Sequence, residues 1–239
     1  MTNSGTTDRV AEVSPQLKAR MAGVFQLCES LTATFGQVFV LGRLVVSGNA
    51  AMTAANILGH ERIYWLGFAA SLMAVAFHIA WGLLMYQLLK PVSRSVAIIA
   101  ASVIVVASSA QALAGLLYIA PLLILQTGNS ATAFTTEQLQ SLALLFLKFN
   151  SYAFAIHTMF FGLWCVLTGY LIFKSTFLPR VLGVLLMVSG LGWLVYLYPP
   201  FAYSVFPFIA GASAIGEIPI EFWLIIKGVN VARWKQCQL

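Results

Sequence analysis

The stretch SVAIIAASVIVVASSAQALAGLLYIAPLLILQTGNSATAFTT, Ser95 to Thr136, contains no charged side chain. About 20 apolar residues are enough to cross ~30 Å of bilayer hydrocarbon as a helix. A soluble helix of this length needs a charged face to meet water, and this stretch has none. It reads as a transmembrane span over about Ala97–Tyr118, with Pro121 marking the exit.

Working outward, the same pattern recurs between isolated charges. Span one is Met21–Leu41, with Glu29 as the only charge between Arg20 and Arg43, and span two is Tyr64–Leu89, stopped by Lys90-Pro91. Span four is Asn150–Phe173, span five is Val181–Tyr198 before Pro199-Pro200, and span six is Ser204–Ile226. Asn49 caps a short surface helix in 47–62. Thr135 and Gln138 form a capping box, with Phe134 stapled on Leu139, that starts a helix outside the membrane leading through Lys148 into span four. The expected fold class is all-α: a polytopic transmembrane bundle of about six spans with short amphipathic helices on the outer face.

Composition agrees, with 60% hydrophobic and 8% charged residues against roughly a quarter charged in ordinary soluble domains. The formal charge of +6 does not imply nucleic acid, because the bases stand singly between apolar runs instead of forming a patch. They mark topology. With the N-terminus inside, Arg9, Lys18, Arg20, Lys90, Arg94, Lys174, Arg180, Lys227, Arg233 and Lys235 face inward, and only Arg43, Arg62 and Lys148 face outward. Both termini are therefore expected in the cytoplasm, with Tyr64, Trp65, Tyr198 and Tyr203 at the outer interface. Residues 1–20 read as a polar leader in which Pro15 discourages a continuous helix, 21–230 as one transmembrane domain, and 231–239 as a basic tail. The first apolar segment is too long for a signal-peptide core, so it is expected to be retained. Cys28, Cys165 and Cys237 have no spacing that suggests disulfides or zinc.

Several stretches carry a family resemblance: Leu44 to Ala51 with Ala55-Asn56-Ile57, Glu137 to Leu147, Phe161-Gly162-Leu163-Trp164, Phe177 to Gly183, and Gly216-Glu217 with Leu224 to Val229. On these the chain resembles a bacterial integral membrane family catalogued as domain of unknown function 4386. It departs from the family pattern at Asn49, Asn150 and Glu221, so no role at those positions comes with the resemblance. The resemblance implies a multi-pass protein of the bacterial cytoplasmic (inner) membrane and no known activity.

Ionisable groups at membrane depth cost ~2.5–3.5 kcal/mol each even on lenient scales, so each needs a reason. Counting ~1.5 Å per residue from the inner end of each span puts Glu29 at ~13 Å, His78 at ~16 Å, Glu217 at ~15 Å and Glu221 at ~9 Å, with His157 in the outer half at ~25 Å. Glu217 and Glu221 share a helix face, and Gln26, Glu29, Ala33, Gly36 and Gln37 form a polar, small-residue stripe on span one. Pro219 lies between the two glutamates and is expected to break span six locally beside Gly216. Glu29, Glu217, His78 and Glu221 are thus the candidate site residues. Structural alternatives stand beside this. Glu221 can snorkel or pair with Lys227, His78 can be a packed interhelical hydrogen-bonder, and His157 can be structural or water-exposed. Gly183, Gly190 and Gly192 are read as points of close helix approach.

Some chemistries are excluded. The only aspartate is Asp8, so there is no aspartate-rich magnesium motif, and there is no phosphate loop, mid-depth lysine or serine–histidine signature. The differing depths of His78 and His157 argue against paired haem ligation. The expected cofactors and metals are none. Three functions are compatible with what remains: acid–base chemistry on, or binding of, a small lipophilic molecule; a proton- or cation-coupled transporter or channel subunit; and a non-catalytic membrane partner. Expected partners are membrane lipid, a lipophilic small molecule and further copies of the chain, with no nucleic acid.

Overall fold

The computed structural model describes residues 13–127 and 133–238, so Asp8, Arg9 and Glu12 of the leader lie outside the described residues. Helix α1 runs over Pro15–Leu44. Its start corrects the expectation for Pro15. Proline at the first helical position sacrifices only an amide that has no partner there, and the Ser14 hydroxyl caps the turn by accepting from the Leu17 amide at 3.2 Å. The helical run therefore begins inside the expected leader. Within α1, Thr34–Val40 winds as a π-helix.

Helix α2, Ala50–Gly59, is capped by Asn49, whose side chain accepts from the Met52 amide at 2.9 Å. Next come α3 over Glu61–Leu89, α4 over Arg94–Thr127 and α5 over Thr136–Lys174. The capping box at Thr135 and Gln138 is present in both directions. From it one continuous helix passes Lys148 and Asn150, whose side-chain amide donates to the Ala114 carbonyl at 2.7 Å. Pro121 does not end the third span. It sits inside α4, because the turn beyond it carries Leu122 and Leu125 into an apolar cluster with Tyr118 and Ile119. Helix α6 covers Arg180–Leu197, ending in a 3-10 turn, and is followed by α7, Pro199–Ser204, α8, Phe206–Ile226, and α9, Val231–Gln236.

Helices α1, α3, α4, α5, α6 and α8 are long and apolar enough to cross a membrane. Each packs on the next in chain order, and α8 closes back on α1, so the spans form a ring. The outer surface is apolar, with Leu31, Leu66, Val181, Leu191, Ile215 and Phe208 exposed. In water such a surface would aggregate; in lipid it is the solvated face.

Glycines set a close seam between α5 and α6. A β-carbon at Gly190 would lie 2.6 Å from the Gly162 carbonyl oxygen, and one at Gly183 would lie 2.5 Å from that of Gly169. Gly192 is not such a point, since its nearest neighbour would be 3.8 Å away. Tyr64 is also corrected. It is fully buried rather than interfacial, its hydroxyl donating to the Tyr118 carbonyl and its ring 4.9 Å from that of Tyr118. Trp65, Tyr198 and Tyr203 are exposed.

The start of α1 meets the segment that follows α8 on one face of the ring. Gln16 donates to the Lys227 carbonyl at 2.9 Å and accepts from the Val229 amide at 3.0 Å. The tail is docked instead of loose: Trp234 is buried and its indole N–H donates to the Leu88 carbonyl at 2.8 Å.

Candidate functional site

Helix order dictates what can meet inside the ring. Because α8 closes on α1, Glu217 and Glu221 come from the direct neighbour of the helix that carries Glu29. Across the interior, α3 and α5 touch, which brings together His78 and His157. Their rings meet edge to face with centroids 5.1 Å apart. The expected difference in depth is therefore wrong. Counting residues from a helix end gives depth only for parallel helices that start in one plane, and tilt removes both conditions. The argument against haem that rested on separate depths falls with it.

A relay links α3, α4 and α1. His78 Nδ1 lies 3.2 Å from Gln111 Oε1, and the Gln111 amide nitrogen donates to Glu29 Oε1 at 3.4 Å. With its amide oxygen turned to His78, Gln111 accepts from an Nδ1–H there. His157 Nδ1 lies 3.0 Å from the Ala107 carbonyl oxygen, which can only accept, so this nitrogen also carries the proton. One ligand-capable atom from each of Glu29, His78 and His157 lies within 4.8 Å of the others. Both histidines are buried and Glu29 is partly buried.

Glu217 is held by α6 and by its own helix. The Ser189 hydroxyl at 2.5 Å, the Trp193 indole N–H at 2.7 Å and the Ser213 hydroxyl at 2.9 Å all donate to Oε1. Their meeting on one oxygen makes Oε2 the more available of the two. Glu221 is buried and accepts from the Ser30 hydroxyl of α1 at 3.1 Å, so it turns into the α1–α8 seam and does not snorkel. Aromatic rings wall the site: Trp81 stands 4.4 Å from Trp164, and Phe161 lies within 6.4 Å of His78, His157, Trp81, Trp164 and Trp193.

Pro219 does not break the sixth span. Helix α8 runs unbroken from Phe206 to Ile226 with Pro219 inside it. Gly216 is instead a packing point, where a β-carbon would come within 2.6 Å of the Leu185 carbonyl oxygen. The stripe on α1 does turn inward, with Gln26 and Gly36 buried.

Among the described residues, Gln26 Nε2 and Oε1, His78 Nε2 and Trp81 Nε1 are buried with no hydrogen-bond partner. They belong to residues on α1 and α3 at or within one turn of Glu29 and His78. Sequence reasoning missed Gln111, the Ser189–Trp193–Ser213 cradle and the position of His157. A search for uncharged hydrogen-bonding residues in spans, extending the search for charges, would have singled out Gln111 in the otherwise small and apolar face of α4.

With this geometry established, comparison with known sequences places the chain. The profile of the family described as domain of unknown function (DUF4386) matches residues 21–228. The chain belongs to that family. An uncharacterized protein of Archaeoglobus fulgidus is 34% identical over 71 residues, which is 29% of this chain and 43% of the archaeal protein. No solved structure matches this DUF4386 chain.

Proposed function

We propose that this DUF4386 protein is a multi-pass protein of the bacterial cytoplasmic membrane, and that its interior acids bind a small lipophilic molecule and exchange protons with it. The observation that carries this reading is the convergence of Glu29, His78, Glu217 and Glu221 inside a ring whose exterior is apolar. A carboxyl group surrounded by indole and phenyl rings is favoured in its neutral form, which is the form that can give a proton to an alkene, epoxide or carbonyl. Glu217 is the best-placed donor: Oε1 is fixed by three hydrogen bonds, which orients Oε2. Glu29, joined through Gln111 to His78, is the group to receive a proton in the complementary step. Glu221, held by the Ser30 hydroxyl, is the third acid of the group.

The cytoplasmic placement of the termini is supported by ten inward bases against three outward ones, together with an even number of spans. A proton-coupled transporter drew part of its support from a broken sixth helix, and α8 is unbroken. Native-nanodisc extraction of the wild type and Glu217→Gln, followed by mass spectrometry of the extracted small molecules, tests the proposal. A lipophilic species enriched with the wild type and lost in Glu217→Gln is expected. Identical extracts, or a pH-gradient-driven flux in proteoliposomes that Glu217→Gln abolishes, would overturn it.

A further inference from the structure

The geometry points to a metal site: we infer that Glu29, His78 and His157 bind a divalent transition-metal ion of the zinc class inside the helical ring. Three observations converge on it. First, the donor set is two imidazoles and one carboxylate, supplied by three different helices, with ligand-capable atoms mutually within 4.8 Å. Ligands around a tetrahedral ion with bonds of ~2.0–2.1 Å stand ~3.4 Å apart, so rotamer adjustment of about an ångström closes the cluster. Second, both Nδ1 atoms face oxygen acceptors, Gln111 Oε1 for His78 and the Ala107 carbonyl for His157. This is the outer arrangement that metal-binding histidines use: the Nδ1–H donates to an oxygen, which fixes the tautomer and presents the Nε2 lone pair. Third, His78 Nε2 is buried and has no hydrogen-bond partner, and His78 itself is 1% exposed. A buried ring nitrogen with no partner is costly unless something binds it.

Gln111 takes a second role here, since its amide nitrogen steadies Glu29 Oε1 while its amide oxygen steadies His78. It orients two ligands at once. Three protein ligands leave a fourth position for water or for an oxygen of a substrate, the arrangement of catalytic rather than structural zinc. Cys165 is buried and free but is not part of the ligand group. A bound ion would take Glu29 and His78, the proton-accepting side of the acid–base reading above, and would leave Glu217 outside the ligand set, so zinc content and the role of Glu217 are tested separately.

The experiment uses the full chain without an affinity tag, reconstituted in nanodiscs, equilibrated with zinc and then passed through a desalting column. Mass-spectrometric metal analysis is expected to give about one zinc per chain in the wild type and in Glu217→Gln, and at least a tenfold loss in His78→Ala and in His157→Ala. Zinc X-ray absorption of the wild type alone is expected to show nitrogen and oxygen neighbours at ~2.0–2.1 Å with imidazole scattering, a readout that does not depend on how the variants fold. Zinc lost on the column, zinc retained in both histidine variants, or a sulfur shell at ~2.3 Å would overturn the inference. Loss of the lipophilic species with zinc retained would leave this site standing and show that the two proposals are separate.

Discussion

At the residue scale, the site is decided by hydrogen bonds that cross between helices. Gln111 is buried and joins His78 to Glu29, so Gln111→Leu removes both bonds while nearly keeping the volume. Hydrogen bonds between membrane helices contribute on average ~0.6 kcal/mol and at most ~1.7 kcal/mol. Unfolding in mixed micelles should accordingly show Gln111→Leu destabilised by about 1 kcal/mol, and a wild-type curve would mean that the relay is not formed. The cradle around Glu217 permits a cleaner measurement. Ser189→Ala and Ser213→Ala should each destabilise the wild type by ~0.5–1.7 kcal/mol and do so less in a Glu217→Leu background, because the bonds share one acceptor. Equal effects in both backgrounds would show that the serines act through packing alone. Glu29, His78, Glu217 and Glu221 were legible in the sequence because a charge or imidazole within an apolar run stands out. His157 was misplaced because depth was counted along an axis, and tilt is set by packing that no single helix records.

At the scale of the element, the span count and most caps were legible, and the consequences of proline were not. In the sequence Pro15, Pro121 and Pro219 each look like breaks, yet one starts a helix and two lie within helices. The error has a physical source. In water a carbonyl freed by proline is solvated, and ending the helix there costs little. Between packed apolar helices an ended helix exposes several backbone groups with no water to meet them, so continuing past one lost bond is the cheaper course. The same packing decides which glycines matter. Gly190→Ala forces a methyl group against the Gly162 backbone and should cost ~1–3 kcal/mol, whereas Gly192→Ala meets nothing closer than 3.8 Å and should be neutral or slightly stabilising. Denaturation of both variants in the same detergent tests the contrast, and equal stabilities would contradict the α5–α6 seam described here.

At the scale of the whole molecule, the closed ring explains why residues nearly the full chain apart share one interior, and it constrains topology. Each of the six spans lies beside its neighbours in sequence, α8 seals against α1, and Gln16 binds the chain just after α8. That contact puts the start of α1 and the end of α8 on one face, as an even number of crossings requires. The side is predicted from the sequence, where the positive-inside rule counts ten bases for the cytoplasm against three for the other side. Joined after Leu239 in a bacterial host, green fluorescent protein should fluoresce and alkaline phosphatase should be inactive. Joined after Thr127, beyond three spans, the two reporters should exchange behaviour. Because the balance of bases is large, changing Arg233 and Lys235 to Ala should leave both results unchanged, as the remaining inward bases still outnumber the outward ones. Active phosphatase at Leu239 would invert the orientation, and active phosphatase at both joints would require an odd number of crossings, which the Gln16 contact with Lys227 and Val229 does not allow.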